Sequence, residues 1–177
     1  MNRKLIIFTD IGDTIIDEGS EVRSGLCKVV LHAKCIPGAK ETMLRLHELG
    51  YPIAMVADGL KRSFENTMTE NGLEHIFAAK VVSEELGVHK PDAKMFEAAF
   101  ARMHLTDQDK SRVIMVGNNL SRDIVGANRF GIRSVLLTWS PRYSMVARTP
   151  EEQADYQIST PEELLNLAER LNAELER

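Results

Sequence analysis

Apolar residues cluster along the chain in five short, continuous runs: 4–9 (KLIIFT), 53–57, 79–82, 113–117 and 134–138. Continuous rather than alternating hydrophobicity predicts strands covered on both faces, as in a parallel sheet. Stretches of helical spacing lie between the runs. Met43, Leu46 and Leu49 form one stripe, closed by Gly50, and Met95, Phe96, Ala99, Phe100 and Met103 form another, entered through Asp92 as N-cap. A last helix is expected from about residue 161, with Thr160 capping, Pro161 in the first turn and Glu163 completing a capping box. The alternation of strand and helix predicts right-handed crossovers and a doubly wound, mostly parallel α/β sheet of Rossmann-like order, helices on both faces. Ligands of such sheets bind at the carboxyl ends of the strands.

Composition narrows this picture. The chain has 177 residues, enough for one domain with a proper core, expected to span 1–177. Lys plus Arg number 22 against 26 Asp plus Glu, and the net charge of -4 argues against a nucleic-acid or membrane-surface partner. Cys27 and Cys35 are the only cysteines, too few for a disulfide framework and spaced unlike a zinc-gripping pair. They read as idle thiols of a reducing compartment. The apolar residues 5–8 are far too few for a membrane span or secretory core, so a cytoplasmic location is expected.

Polar residues of an unusual kind follow four of the runs. Asp10-Ile11-Gly12-Asp13-Thr14 follows the first and Ala57-Asp58-Gly59 ends the second. Gly87-Val88-His89-Lys90-Pro91-Asp92 comes a short loop after the third. The fourth leads into Gly117-Asn118-Asn119-Leu120-Ser121-Arg122-Asp123, with Gly126, Ala127 and Gly131 beyond it, which suit close helix packing and termination. Taken singly, each has an ordinary reading. Asp10 suits a turn, Lys90 a solvated loop, and Asp123 a helix terminus, where the macrodipole contributes about 0.3–1 kcal/mol.

Together and in this order, from residue 4 to about 165, these motifs resemble those of the haloacid dehalogenase-like (HAD) superfamily. The resemblance implies Asp10 as nucleophile, Lys90 as the lysine orienting nucleophile and phosphate, and Thr14 as the threonine closing the first motif. Substrate would meet Ala57, Asp58, Gly59 and Lys90. Magnesium would be held by Asp10, Asn118, Asp123 and the Gly12 backbone carbonyl. The residue types suit the chemistry: a carboxylate attacks an anionic phosphate only if cations offset their repulsion, and Mg2+ prefers oxygen ligands.

The chain departs from the family pattern at three positions. Gly12 stands where the phosphatases carry an acid/base aspartate, a group worth roughly 100- to 10,000-fold in rate. Asp13 follows it, in a turn position where the family has glycine, and is expected to point elsewhere. Ala57 replaces a phosphate-binding Thr or Ser, and Asn118 replaces a metal carboxylate. Only a short insert, 17–36, is available between the first motif and the next helix, so no substantial cap is expected.

These features support two readings. One is a magnesium-dependent phosphoric monoester hydrolase working through an aspartyl-phosphate on Asp10, with a small or larger phosphorylated substrate and a homo-oligomer closing the open site. The other is a HAD-like domain with little turnover, used for binding or assembly. A metal-independent dehalogenase-type hydrolase is a further alternative, disfavoured by the missing cap.

Overall fold

The computed structural model describes residues 4–26 and 28–176; Cys27, one of the two expected idle thiols, lies outside them. In chain order the strands are β1 (Ile6–Thr9), β2 (Val22–Arg23), β3 (Val30–His32), β4 (Ile53–Ala57), β5 (Phe77–Val82), β6 (Val113–Gly117), β7 (Arg133–Leu137) and β8 (Tyr156–Ile158). The helices are α1 (Ala39–Glu48), α2 (Lys61–Glu70), α3 (Ser83–Leu86), α4 (Ala93–Arg102), α5 (Val125–Phe130) and α6 (Glu163–Leu175). Six strands form one sheet in the order β5-β4-β1-β6-β7-β8, and every neighbouring pair is parallel.

The chain starts at the middle strand, winds outward through β4 and β5, then returns to the other side of β1 for β6, β7 and β8. The winding therefore reverses between β1 and β6, whose registers pair Ile6 with Val113 and Thr9 with Val116. A cleft at the carboxyl ends of these two strands is the consequence of that reversal.

Successive side chains of a strand point to opposite faces, so each strand feeds two cores. Ile7, Ile53, Met55, Ile114 and Val116 pack with Met43 and Leu46 of α1, Met68 of α2, and Leu164, Leu167 and Leu171 of α6. Ile6, Phe8, Ala54, Val56 and Met115 pack with Met95, Phe96, Ala99 and Phe100 of α4 and with Ala127 of α5. All residues of β1, β4 and β6 are buried, as the unbroken apolar runs require.

The α4–α5 contact depends on a glycine. A side chain at Gly126 would meet the Phe96 ring at 2.6–2.7 Å. Gly131 caps α5 with φ 82°, in the left-handed region.

Two elements of the main domain depart from the sequence expectation. The last helix begins at Glu163, and Thr160 does not cap it. Leu164 and Leu165 donate backbone hydrogen bonds three residues back, to Pro161 and Glu162, so the tight first turn needs no side-chain cap. The β8 strand is an addition. It holds Tyr156 and Ile158 inward around Gln157, and three residues carry too little periodicity to announce a strand.

The 17–36 insert contains a short 3-10 turn (Glu18–Ser20) and the β2–β3 hairpin. The hairpin leans on α2, where Val30 N–H donates to Ser63 Oγ (2.9 Å) and the Asn66 amide donates to the Val30 carbonyl (2.9 Å). It is far too small for a cap. Cys35 carries a half-buried free thiol, which burial pushes up to about 11. No helix of the described residues is long and apolar enough to cross a membrane.

Candidate active site

Asp10 is the first residue beyond β1, and its N–H donates to the Val116 carbonyl of β6 (2.9 Å), which fixes it at the reversal point. Lys90 arrives from the loop between α3 and α4, and its side chain is almost completely buried. The ammonium donates to Asp10 Oδ1 (2.7 Å) and to the Val56 carbonyl at the end of β4 (2.8 Å). It also lies 2.7 Å from Asp123 Oδ1. That second contact is ionic but not aligned as a hydrogen bond, so Asp123 Oδ1 has no hydrogen-bond partner.

Burial alone would lower the Lys90 pKa, but the charges of Asp10, Asp123 and Asp58 outweigh it and hold the amine above its ordinary value. Lys90 is therefore a fixed cation. Burial raises the Asp123 carboxyl, and the Asp10 charge adds to the effect while Lys90 opposes it. One ammonium does not fully offset two clustered carboxylates.

Asp123 belongs to a π-helical turn (Leu120–Ile124) that continues into α5. Its Oδ2 accepts the Asn119 N–H (3.1 Å), and a side chain at Gly117 would lie 2.2 Å from that same oxygen. Glycine at the end of β6 is what lets the carboxylate lie against the backbone. Asn118 is buried beside it, with its amide nitrogen unpartnered.

Asp58 does not face Asp10 as a bare charge. Its Oδ1 accepts the Lys90 N–H (3.0 Å), and its carboxylate lies 3.7 Å from both Arg122 and His89. It steadies the loop that delivers Lys90.

These groups line one open cleft, with a volume of ≈ 170 Å³, in which Asp10, Gly12, Asp58, Gly59, Lys90, Asn118 and Asp123 all take part. Two expected residues are not brought there. Thr14 is buried against α1 and α6, beside Ala39, Thr42 and Leu164, and its hydroxyl has no partner. Ala57 is fully buried at the end of β4 and contributes to the apolar core instead.

Asp13 points away from the cleft, as its turn position implied. It has φ 48°, a conformation that aspartate tolerates better than most residues. Its Oδ2 accepts the Ser140 hydroxyl (2.9 Å) and Arg142 Nε, and its Oδ1 accepts the Glu18 N–H (2.9 Å). Arg142 also lies 3.3 Å from Glu18 Oε2. Glu18 itself lines the cleft, and burial, then the Asp13 charge, hold its carboxyl above the ordinary value against the pull of Arg142. Sequence reading missed Glu18, Ser140 and Arg142. Nothing local marks them, because their roles come from contacts between residues 124 to 129 apart or from a turn folding back on itself.

Among the described residues no three His, Cys, Asp or Glu side chains converge on a common point. A bound cation would draw on two carboxylates and neutral oxygens. Asp123 Oδ1, ion-paired to Lys90 but without a hydrogen-bond partner, fits such an ion, because Mg2+ commonly takes only one or two protein carboxylates alongside phosphate and water.

The chain resembles known proteins. It is 31% identical over 140 residues to a glyceraldehyde 3-phosphate phosphatase of Methanopyrus kandleri, covering 79% of this chain and 59% of that protein. It is 36% identical over 137 residues to a ribulose-1,5-bisphosphate 5-phosphatase of Halopiger xanaduensis, covering 75% and 56%. The chain thus spans somewhat over half the length of these relatives. The crystal structure of a HAD phosphatase from Thermococcus onnurineus superposes with a TM-score of 0.72 at 18% identity, over 92% of this chain and 97% of that one, a likeness of fold. The profile of the haloacid dehalogenase-like hydrolases matches residues 10–137. With its switch-point aspartate, its buried lysine and this match over most of its length, the chain belongs to the haloacid dehalogenase-like hydrolase family.

Proposed function

We propose that the protein is a phosphatase that hydrolyses small phosphoric monoesters, phosphorylated sugars among them, through a covalent intermediate on Asp10. The observation that carries this reading is the Asp10–Lys90–Asp123 cluster at the floor of an open cleft. The names of the two phosphatase relatives described earlier agree with it.

In this reading an Asp10 carboxylate oxygen bonds to phosphorus as the ester P–O bond breaks. Water then attacks the phosphorus, which releases inorganic phosphate and restores Asp10. Lys90, locked between Asp10 and the Val56 carbonyl, keeps the nucleophile oriented and offsets its repulsion with the phosphate. Asp10, Asp123, Asn118 and the Gly12 carbonyl are the residues that would hold Mg2+, which would supply further charge neutralisation at the phosphoryl oxygens. Phosphate contacts come from backbone N–H groups, since no hydroxyl stands at position 57. A cytoplasmic setting is part of the proposal. So is the whole chain acting as one domain, with a larger substrate or a second copy covering the cleft's open side.

A release assay for inorganic phosphate over a panel of sugar phosphates, with and without Mg2+, tests it. The wild type should turn over at least one of them, and Asp10→Asn should abolish turnover while keeping the fold. Wild-type rates from the Asn variant would overturn the mechanism.

A further inference from the structure

Gly12 removes the carboxyl group that would protonate the leaving oxygen, yet the space is not vacant. A Cβ built on Gly12 would lie 2.0 Å from Glu18 Oε1 and 2.9 Å from its carboxyl carbon. A second carboxyl group, six residues further on, therefore sits at the root of the volume that a side chain at position 12 would fill. The placement is held from several sides. The Glu18 N–H is anchored on Asp13 Oδ1, and Arg142 engages Oε2, leaving Oε1 on the Gly12 side. Asp13 is itself held by Ser140 and Arg142. Glu18, Asp10 and Lys90 line the same cleft.

We propose that Glu18 performs the proton transfers for which position 12 has no group. The proposal rests on the phosphatase reading above. As Asp10 bonds to phosphorus and the P–O bond to the alcohol breaks, the Glu18 carboxyl proton passes to the departing oxygen. The resulting carboxylate then takes a proton from the water that attacks phosphorus. The bond between phosphorus and Asp10 breaks, and both groups return to their starting state. The Gly12-Asp13 pair and Glu18 thus act together: Gly12 makes room, Asp13 anchors, and Glu18 carries the proton.

Leaving-group dependence separates this role from a structural one, because a nitrophenolate departs without being protonated and an alkoxide does not. With p-nitrophenyl phosphate, Glu18→Gln should still release about one equivalent of nitrophenol per site in a fast burst, then turn over slowly. With glycerol 3-phosphate it should lose roughly 100- to 10,000-fold in kcat with little change in KM. Gly12 is outside the left-handed region, and the nearest atoms a side chain there would meet belong to the flexible side chain of Glu18. The double variant Gly12→Asp/Glu18→Ala should therefore recover much of the glycerol 3-phosphate activity that Glu18→Ala alone loses.

Unchanged glycerol 3-phosphate turnover by Glu18→Gln would overturn the proposal. So would an equal loss of the burst and of alkyl ester turnover, or failure of the double variant to recover activity. If Asp10→Asn retains activity, or the wild type hydrolyses no phosphate ester at all, the phosphatase reading fails first and the Glu18 proposal falls with it.

Discussion

Lys90 stands between two carboxylates and has almost no contact with solvent, and this governs how it responds to substitution. Removing one partner of a buried ion pair leaves the other charge stranded, at a cost of about 3–5 kcal/mol. Lys90→Ala should lose stability on that scale in urea denaturation, in addition to losing turnover. Asp123→Asn in the same background should recover part of the loss, since it removes one stranded charge. Additive effects of the two substitutions would mean that the cluster is not coupled as its geometry requires.

Metal affinity belongs to the same scale. Asp10 and Asp123 would supply all the formal charge of a cation site, so Asp123→Asn should weaken Mg2+ binding by about tenfold or more, roughly 1.4 kcal/mol. Asn118→Asp should tighten it, because it exchanges an unpartnered buried amide nitrogen for an anionic oxygen. Calorimetric titration of the three proteins with Mg2+ reads both effects. Unaltered affinity in both variants would reduce Asp123 to a partner of Lys90 and nothing more.

At the scale of elements, caps and close packing set measurable increments. The 3-10 turn Asp107–Arg112 leads into β6 and carries a capping box, in which Thr106 and Asp109 satisfy each other's backbone N–H groups. The Thr106 N–H, aided by Arg112, holds the Asp109 carboxyl below its ordinary value. A carboxyl group depressed in the folded state stabilises it fully above the unfolded value, about 3.9, and loses that contribution as pH falls through the folded value. Asp109→Asn should therefore cost about 1 kcal/mol at pH 7 and progressively less below pH about 4. A difference that grows on acidification would contradict this assignment. For the α4–α5 seam, Gly126→Ala should destabilise by about 1–3 kcal/mol through overpacking against Phe96. Thermal unfolding would register it; a neutral or stabilising result would show that the ring moves aside freely.

These elements also show what the sequence could reveal. Strands buried on both faces write continuous apolar runs, so β1, β4, β5, β6 and β7 were legible, and with them Asp10, Lys90 and Asp123. The β8 strand and the β2–β3 hairpin were not, because two or three residues hold too little pattern. Thr14 and Ala57 were assigned through family resemblance, yet both pack into the core, since motif position alone does not say which way a side chain faces. Glu18 was invisible for a different reason. Its place is defined by the absence of a side chain at Gly12 and by a guanidinium more than a hundred residues away.

At the scale of the molecule, the candidate site is collected from nearly the full length of the chain. Asp10 comes from just beyond β1, Lys90 from the loop before α4, Asp123 from the turn after β6, and Arg142 from the long connection between β7 and β8. The Arg142 clamp on Asp13 joins residues 129 apart. Protein synthesis delivers these parts in order. At about 5–20 residues per second, roughly 6–26 seconds separate the emergence of residue 13 from that of residue 142. Until then Asp13 and Glu18 lack their guanidinium partner, although Val116 and Lys90, made earlier, can already engage Asp10. The arginine that braces Glu18 is therefore delivered late, after all but the last strand of the sheet.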